Sequence, residues 1–276
     1  VGSSALAAIN LIFPYYSLLF GFGVMIVTGS SVRCGKYMGE GNRRSASAIF
    51  TKTMIAIIIS CIVIMMVGIL FPENIVRLLG ANEELTPDAS LYLSIISSFV
   101  SVFIGAYALS VFVRIDGRPV LSSVSMIAGA LCNVILDWWL IMELGMGVRG
   151  AAIATGGSQL INLFILLPHF FSRKAELKFR LDGGSWKEIW SACYNGLSEL
   201  TNELSMGLVL LVFNWIIISR LGVPGVAAFT IINHTFWFGL MIAYGISESM
   251  LPVISTNLGA RLPDRIKYFL ILANSS

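Results

Sequence analysis

The sequence predicts an all-α, polytopic membrane protein, and three observations lead there. Only 12% of the 276 residues are charged, against about 25% in a soluble domain, and 57% are hydrophobic. Mean hydropathy is +0.85. Uncharged runs of the length a helix needs to cross a bilayer core of about 30 Å recur along the whole chain. With 18 basic and 15 acidic residues, the chain cannot build a polar shell around a globule of this size. That excludes a water-soluble enzyme, a nucleic-acid-binding module and a disordered segment.

The runs, in order, are Val1–Val32, Thr53–Pro72, Ala89–Val113, Pro119–Leu136, Gly150–Ser172, Leu204–Ser219 and Leu221–Ser247. The first has no basic leader of the kind that opens a signal peptide, and no initiator Met, so the true start is expected upstream. Glu199 and Glu203 interrupt the front of the sixth, whose helix is expected to begin near Ile189 and run to Ser219. Turn chemistry separates the runs: GEGN at 39–42, DGRP at 116–119, ELGMG at 143–147, DGG at 182–184 and VPG at 223–225. Ile266–Ala273 reads as the opening of an eighth helix, giving seven spans and a stub. Cys34, Cys61, Cys132 and Cys193 have no CxxC or Cys/His spacing and read as reduced, apolar residues.

Fifteen basic residues fall in alternate loops: Arg33, Lys36, Arg43, Arg44 and Lys52; Arg114 and Arg118; Arg173, Lys174, Lys178, Arg180 and Lys187; Arg261, Arg265 and Lys267. Only Arg77, Arg149 and Arg220 fall in the others. The positive-inside rule then places the loops after Arg33, Arg114, Arg173 and Gly259 in the cytoplasm and the first residue outside. The acidic loop Glu73–Asp88 lies outside on this reading.

The start of the sequence superposes on its end without a gap when Gly2 is laid on Gly222. The same offset matches Ala7/Ala227, Ala8/Ala228, Ile12/Ile232, Ile26/Ile246 and Gly39/Gly259. Both copies end in a Gly followed by a basic loop on the same side, so the repeat has one orientation. Two lobes related by an axis along the membrane normal, each of six helices, are expected.

The segments VAAFTIINHTFWFGLMIAYGISESMLPVISTNLGA (226–260), RIDGRPVL (114–121), NVILDWWLIMELGMGVRGAAIATGGSQ (133–159) and NGLSELTNELS (195–205) resemble the MATE family of multidrug and toxic-compound exporters, bacterial branch. The resemblance covers essentially the whole chain. It implies a two-lobed bundle of twelve helices, of which this chain would hold helices two to eight and the start of nine. On that division residues 1–172 belong to an N-terminal lobe lacking its first helix, 173–188 to a cytoplasmic inter-lobe linker, and 189–276 to the start of a C-terminal lobe.

Four carboxylates stand in spans, Asp137, Glu199, Glu203 and Glu248, each costing about 2.5–3.5 kcal/mol at a helix centre on insertion scales. Asn133 and Asp137, four apart, put an amide oxygen and a carboxylate on one helix face, hard ligands for Na⁺ or a proton. The resemblance matches them, with Thr155, to the family's N-lobe cation site. Read alone, Thr155 is equally a helix-packing hydroxyl. Glu199 and Glu203 form a second pair, and two carboxylates on one face in low dielectric do not both ionise cheaply. Either could carry a proton or seat a cation. Glu248 reads as a solvated acid at a span end, and His169 and His234 as lone packing or interfacial residues. Asn202, Phe236 and Trp237 are candidate substrate contacts, an aromatic face being able to hold a cationic drug, although lipid contact explains the aromatics as well. Trp138–Trp139 fit an interfacial belt.

No GxxxxGK[ST], HExxH or GxSxG motif occurs, so neither a Walker-type ATP site nor these hydrolytic sites is expected. The expected function is a secondary multidrug efflux antiporter of the cell membrane, not an enzyme, exporting amphipathic organic cations against Na⁺ or H⁺. No cofactor is expected, and no metal beyond Na⁺ at Asp137. Expected partners are the cations and membrane lipids, not nucleic acid, and the full-length protein is expected to be monomeric. Two alternatives are a lipid-linked oligosaccharide flippase on a related fold, disfavoured by the lack of basic residues deep in spans, and a membrane-embedded enzyme using Glu199 and Glu203.

Overall fold

The computed structural model describes residues 3–81, 83 and 85–275; for 3–10, 211, 214–215, 218–219, 221–228, 230–231, 233–234, 237–238, 242 and 275 the description is of the backbone alone. Ten α-helices make up the described chain, joined by short turns and one longer strap.

α1 (Ser3–Gly39) carries Pro14 inside it and ends in the expected turn, where Gly41 takes φ +74°. Asn42 then caps α2 (Arg43–Leu70), its side chain accepting from Ser45 N at 3.1 Å. The basic-loop end of α2 is buried, from Ala46 to Met54. Its far half exposes Ile58, Ile59, Ile62, Val63, Met66, Val67, Ile69 and Leu70. An exposed surface so purely aliphatic is the reverse of a soluble helix and suits acyl chains.

α3 (Pro72–Leu78) is short. The third predicted span is two helices, α4 (Thr86–Ser98) and α5 (Val100–Ile115), bent by 46° at Phe99. Two causes are visible. Ser94 and Ser98 return their hydroxyls to the carbonyls of Ser90 and Ser94, which loosens and bends a helix. The Phe99 ring also lies where a Cβ on Gly156 would be, so this wedge tolerates only glycine opposite it.

α6 (Pro119–Asp137) passes into a π-helical turn, Trp138–Glu143, and α7 (Gly147–Leu166) into a 3₁₀ turn, Leu167–Phe171. Trp138 and Trp139 are both exposed there, as a belt requires. α8 (Trp186–Asn195) starts three residues before the predicted Ile189, its cap Ser185 accepting from Lys187 N at 3.2 Å. The helix expected to run unbroken into the sixth span is interrupted at Gly196, where a Cβ would collide with Met25 O. This closeness to α1 displaces the backbone from a straight path.

α9 (Leu197–Gly259) holds both remaining predicted spans. Straight, its 63 residues would reach about 94 Å. Yet Glu203 meets α1 at Gly21 and Ser255 meets it at Gly35, positions only about 21 Å apart on α1 at helical rise. The element therefore doubles back between Gly207 and Glu248. The turn expected from VPG at 223–225 is not found as a break: the backbone there is helical and belongs to α9. α10 (Pro263–Ser275) is the predicted stub. Four helices are long and apolar enough to cross a membrane, five with the bent α4–α5 pair, and these match the first five predicted spans among the described residues. The protein is a multi-pass, all-α membrane protein.

The predicted linker is fastened along its length. Buried Asp116, in the turn after α5, accepts from Leu177 N at 2.8 Å and Glu176 N at 3.1 Å, and pairs with His169 Nε2 at 2.6 Å. Thr51 Oγ1 accepts from Arg180 N at 2.7 Å and Ser47 Oγ from Lys178 N at 3.2 Å. Arg43 and Arg44 reach Glu176 and Asp182 at 2.8 and 3.0 Å. Phe179 inserts beside Phe50, which also packs on Phe112 and Phe170. His169, read from sequence as a lone residue, is thus half of a buried polar pair.

Candidate functional site: acidic residues and aromatic rows

Asn133 and Asp137 occupy the last turns of α6 and are both half-buried. α7 lies against this face, since a Cβ on Gly157 would touch Leu136 at 3.1 Å. Thr155, also half-buried, spends its hydroxyl proton on Ala151 O at 2.8 Å, leaving oxygen lone pairs as its only further contribution. Together the three residues offer an amide oxygen, a carboxylate and a hydroxyl oxygen, donors suited to a hard monovalent ion. No cluster of three His, Cys, Asp or Glu suited to a metal ion exists among the described residues.

Glu199 and Glu203 stand in the first two turns of α9, just past the break at Gly196. Leu200 and Glu203 face α1: each comes within 3.1 Å of where a Cβ on Gly21 would sit. Gly207 continues that face onto Ser17. Glu203 feels the charge of Glu199, as four-residue spacing requires. Asn202 lies on a different, exposed face, and Phe236 is exposed as well. The side chains of Trp237 and His234 lie outside the described residues.

Sequence reasoning missed the aromatic rows that join these groups. Tyr16 and Phe20 on α1, one turn apart, stack at 6.0 Å between centroids. Tyr16 meets Phe103 edge-on at 5.8 Å, and Phe20 meets Tyr107 at 5.5 Å. Tyr16 is within electrostatic range of Glu203 and of Tyr92, and Tyr92 within range of Asp137. The spacing Tyr16/Phe20 and Phe103/Tyr107, four residues in each helix, was the available signal.

Glu248 is partly exposed, as expected, but it is also paired: its carboxylate accepts from Arg114 at 3.1 Å and from Tyr107 Oη at 3.3 Å, with Arg114 also donating to Ser110 O. A charged group near a span end finds a partner when one is in reach, because the alternative is partial desolvation alone. One row of rings, Tyr16–Phe20–Tyr107, therefore runs from Glu203 to Glu248.

Bundled apolar helices with half-buried carboxylates and aromatic faces between them mark a functional region of a membrane protein. Similarity to known proteins identifies the family. The chain belongs to the MatE family, whose model matches residues 1–139 and 202–272. It is 27% identical over 282 residues to the multidrug export protein MepA of Staphylococcus haemolyticus, covering 98% of this chain and 60% of that one. It is 26% identical over 291 residues to an FAD transporter of Shewanella oneidensis, covering 99% and 62%. A crystal structure of a MATE in complex with MaD3S superposes with a TM-score of 0.85 at 24% identity, covering 99% of this chain and 62% of that one. The chain thus spans about 60% of the length of the curated relatives it matches.

Proposed function

We propose that this chain forms much of a secondary antiporter that exports amphipathic organic cations while Na⁺ or H⁺ moves inward, with no cofactor besides that ion. The observation that carries the reading is Glu203, seated against Gly21 beside Glu199 at one end of the ring row that leads to Glu248. Two carboxylates held together repel, and a proton or Na⁺ relieves that repulsion. An organic cation can do the same while laying its apolar part on Tyr16 and Phe20. Ion and drug then compete for one charge deficit, the requirement for exchange, and each shifts the conformational equilibrium by its differential affinity for the two states. Asn133, Asp137 and Thr155 are the proposed second ion seat. Asn202, Phe236 and Trp237 are proposed substrate contacts, the first two on exposed faces.

The proposed location is the cytoplasmic membrane, with the loops after Arg33, Arg114, Arg173 and Gly259 inside. The protein is proposed to act as a monomer. The export activity named for the relative in Staphylococcus haemolyticus supports the direction of transport. The test is movement of a fluorescent lipophilic cation in proteoliposomes under an imposed Na⁺ gradient or an imposed pH gradient. Transport driven by one and abolished by dissipating it is expected; transport indifferent to both removes the antiport reading.

A further inference from the structure

We infer that α8 is a membrane-surface anchor, docked on the anionic phospholipid headgroups of the leaflet that meets the basic loops. α8 has 10 residues, about 15 Å at helical rise, and continues the seam that α9 makes along α1, at its basic-loop end. Its two faces differ sharply. Ile189 and Ala192 are buried; Ala192 O sits in the place of a Cβ on Gly29 of α1, and Arg33 donates to Ser191 Oγ beside it. The opposite face carries Trp186, Trp190 and Tyr194, four residues apart, with relative exposures of 48%, 78% and 79%.

Three amphipathic rings in one stripe, facing outward at the end of a span, match the composition of the bilayer interface, where an indole or phenol lies half in the acyl chains and half in the headgroups. Charge completes the match. Lys187 flanks the stripe, and the strap that leads into α8 carries Arg173, Lys174, Lys178 and Arg180, all exposed. Each basic residue near an anionic leaflet adds attraction. The stripe is held in place: Lys52 of α2 donates to the carbonyls of Gly183 and Gly184 and lies over the Trp186 ring at 5.9 Å. The surface is also continuous with the spans, because α8 passes through Gly196 alone into α9.

The protein in vesicles of phosphatidylcholine and phosphatidylglycerol, mixed two to one, tests this by tryptophan quenching. Wild type and Trp190→Phe are compared, and the difference emission isolates Trp190; Phe keeps the ring, so the fold is retained. Bromines placed near the headgroups are expected to quench that difference at least twofold more than bromines deep in the chains, with iodide having little effect. Quenching mainly by iodide, or by neither probe, would place Trp190 in water or under protein and overturn the inference. Lys174→Glu with Lys187→Glu, or vesicles of phosphatidylcholine alone, should weaken the bromine quenching; no change in either would overturn the anionic part.

Discussion

Gly35 of α1 and Ser255 of α9 stand so close that a Cβ on the glycine would overlap the serine hydroxyl. Their numbers differ by the offset that lays Gly2 on Gly222, the spacing of the repeat seen in the sequence. The flanking contacts obey the same shift. Gly39 abuts Thr256 O, and Gly259 abuts Lys36 O, each leaving no room for a Cβ. Thr256 is the shifted counterpart of Lys36, and Gly259 of Gly39, so these are one contact repeated with its partners exchanged. That exchange is the mark of a two-fold axis. The helices that begin the two copies of the repeat close on each other through glycine, at the basic-loop end.

Gly35→Val and Gly259→Val should each open this contact, because bulk has no room to go without moving backbone. Overpacking of this kind costs about 1–3 kcal/mol. Gly239→Ala is the contrast: nothing lies within 4 Å of its Cβ position, and alanine favours the helix by about 1 kcal/mol. Thermal unfolding of the three variants in detergent should separate them in sign.

Replacing Glu203 with Gln should abolish gradient-driven cation export while leaving insertion and the α1–α9 contact intact, since glutamine keeps the shape and loses the titratable charge. Export rate against ion gradient, alongside membrane yield, is the measurement. Unchanged export would take Glu203 out of the coupling.

Arg114→Gln and Glu248→Gln should each weaken the link between α5 and α9, and the double variant should lose less than the sum. The pair is partly exposed, so a coupling energy of about 0.5–1 kcal/mol is expected from a double-mutant cycle on unfolding. A cycle that sums to zero would mean that Tyr107 alone holds Glu248.

Asp116→Ala should free the strap. It strands the N–H groups of Glu176 and Leu177 and the His169 ring around a buried position, at a cost of about 2–4 kcal/mol. Limited proteolysis between residues 173 and 185 should accelerate severalfold, while cleavage in the turn at 39–42 should not.

The first five spans, the turns at 39–42, 116–119, 143–147 and 182–184 and the Glu199/Glu203 pair were legible because each is a local signal: run length, Gly/Pro chemistry, spacing of four. The break at Gly196 and the kink at Phe99 were not, since both arise from a partner far along the chain, Met25 in one case and Gly156 in the other. The same holds for Asp116 with His169 and for Arg114 with Glu248. Their charges were visible, but a pair 53 or 134 residues apart leaves no period to read. Basic residues were assigned to loops by count, which is silent about Arg114 turning inward to Glu248.

The tied-down strap has a mechanical consequence. Stitched to α2 and to the turn after α5, the segment has no slack to give, so a pull on its α8 end passes on to Gly196, one residue with no side chain pressed against the Met25 carbonyl.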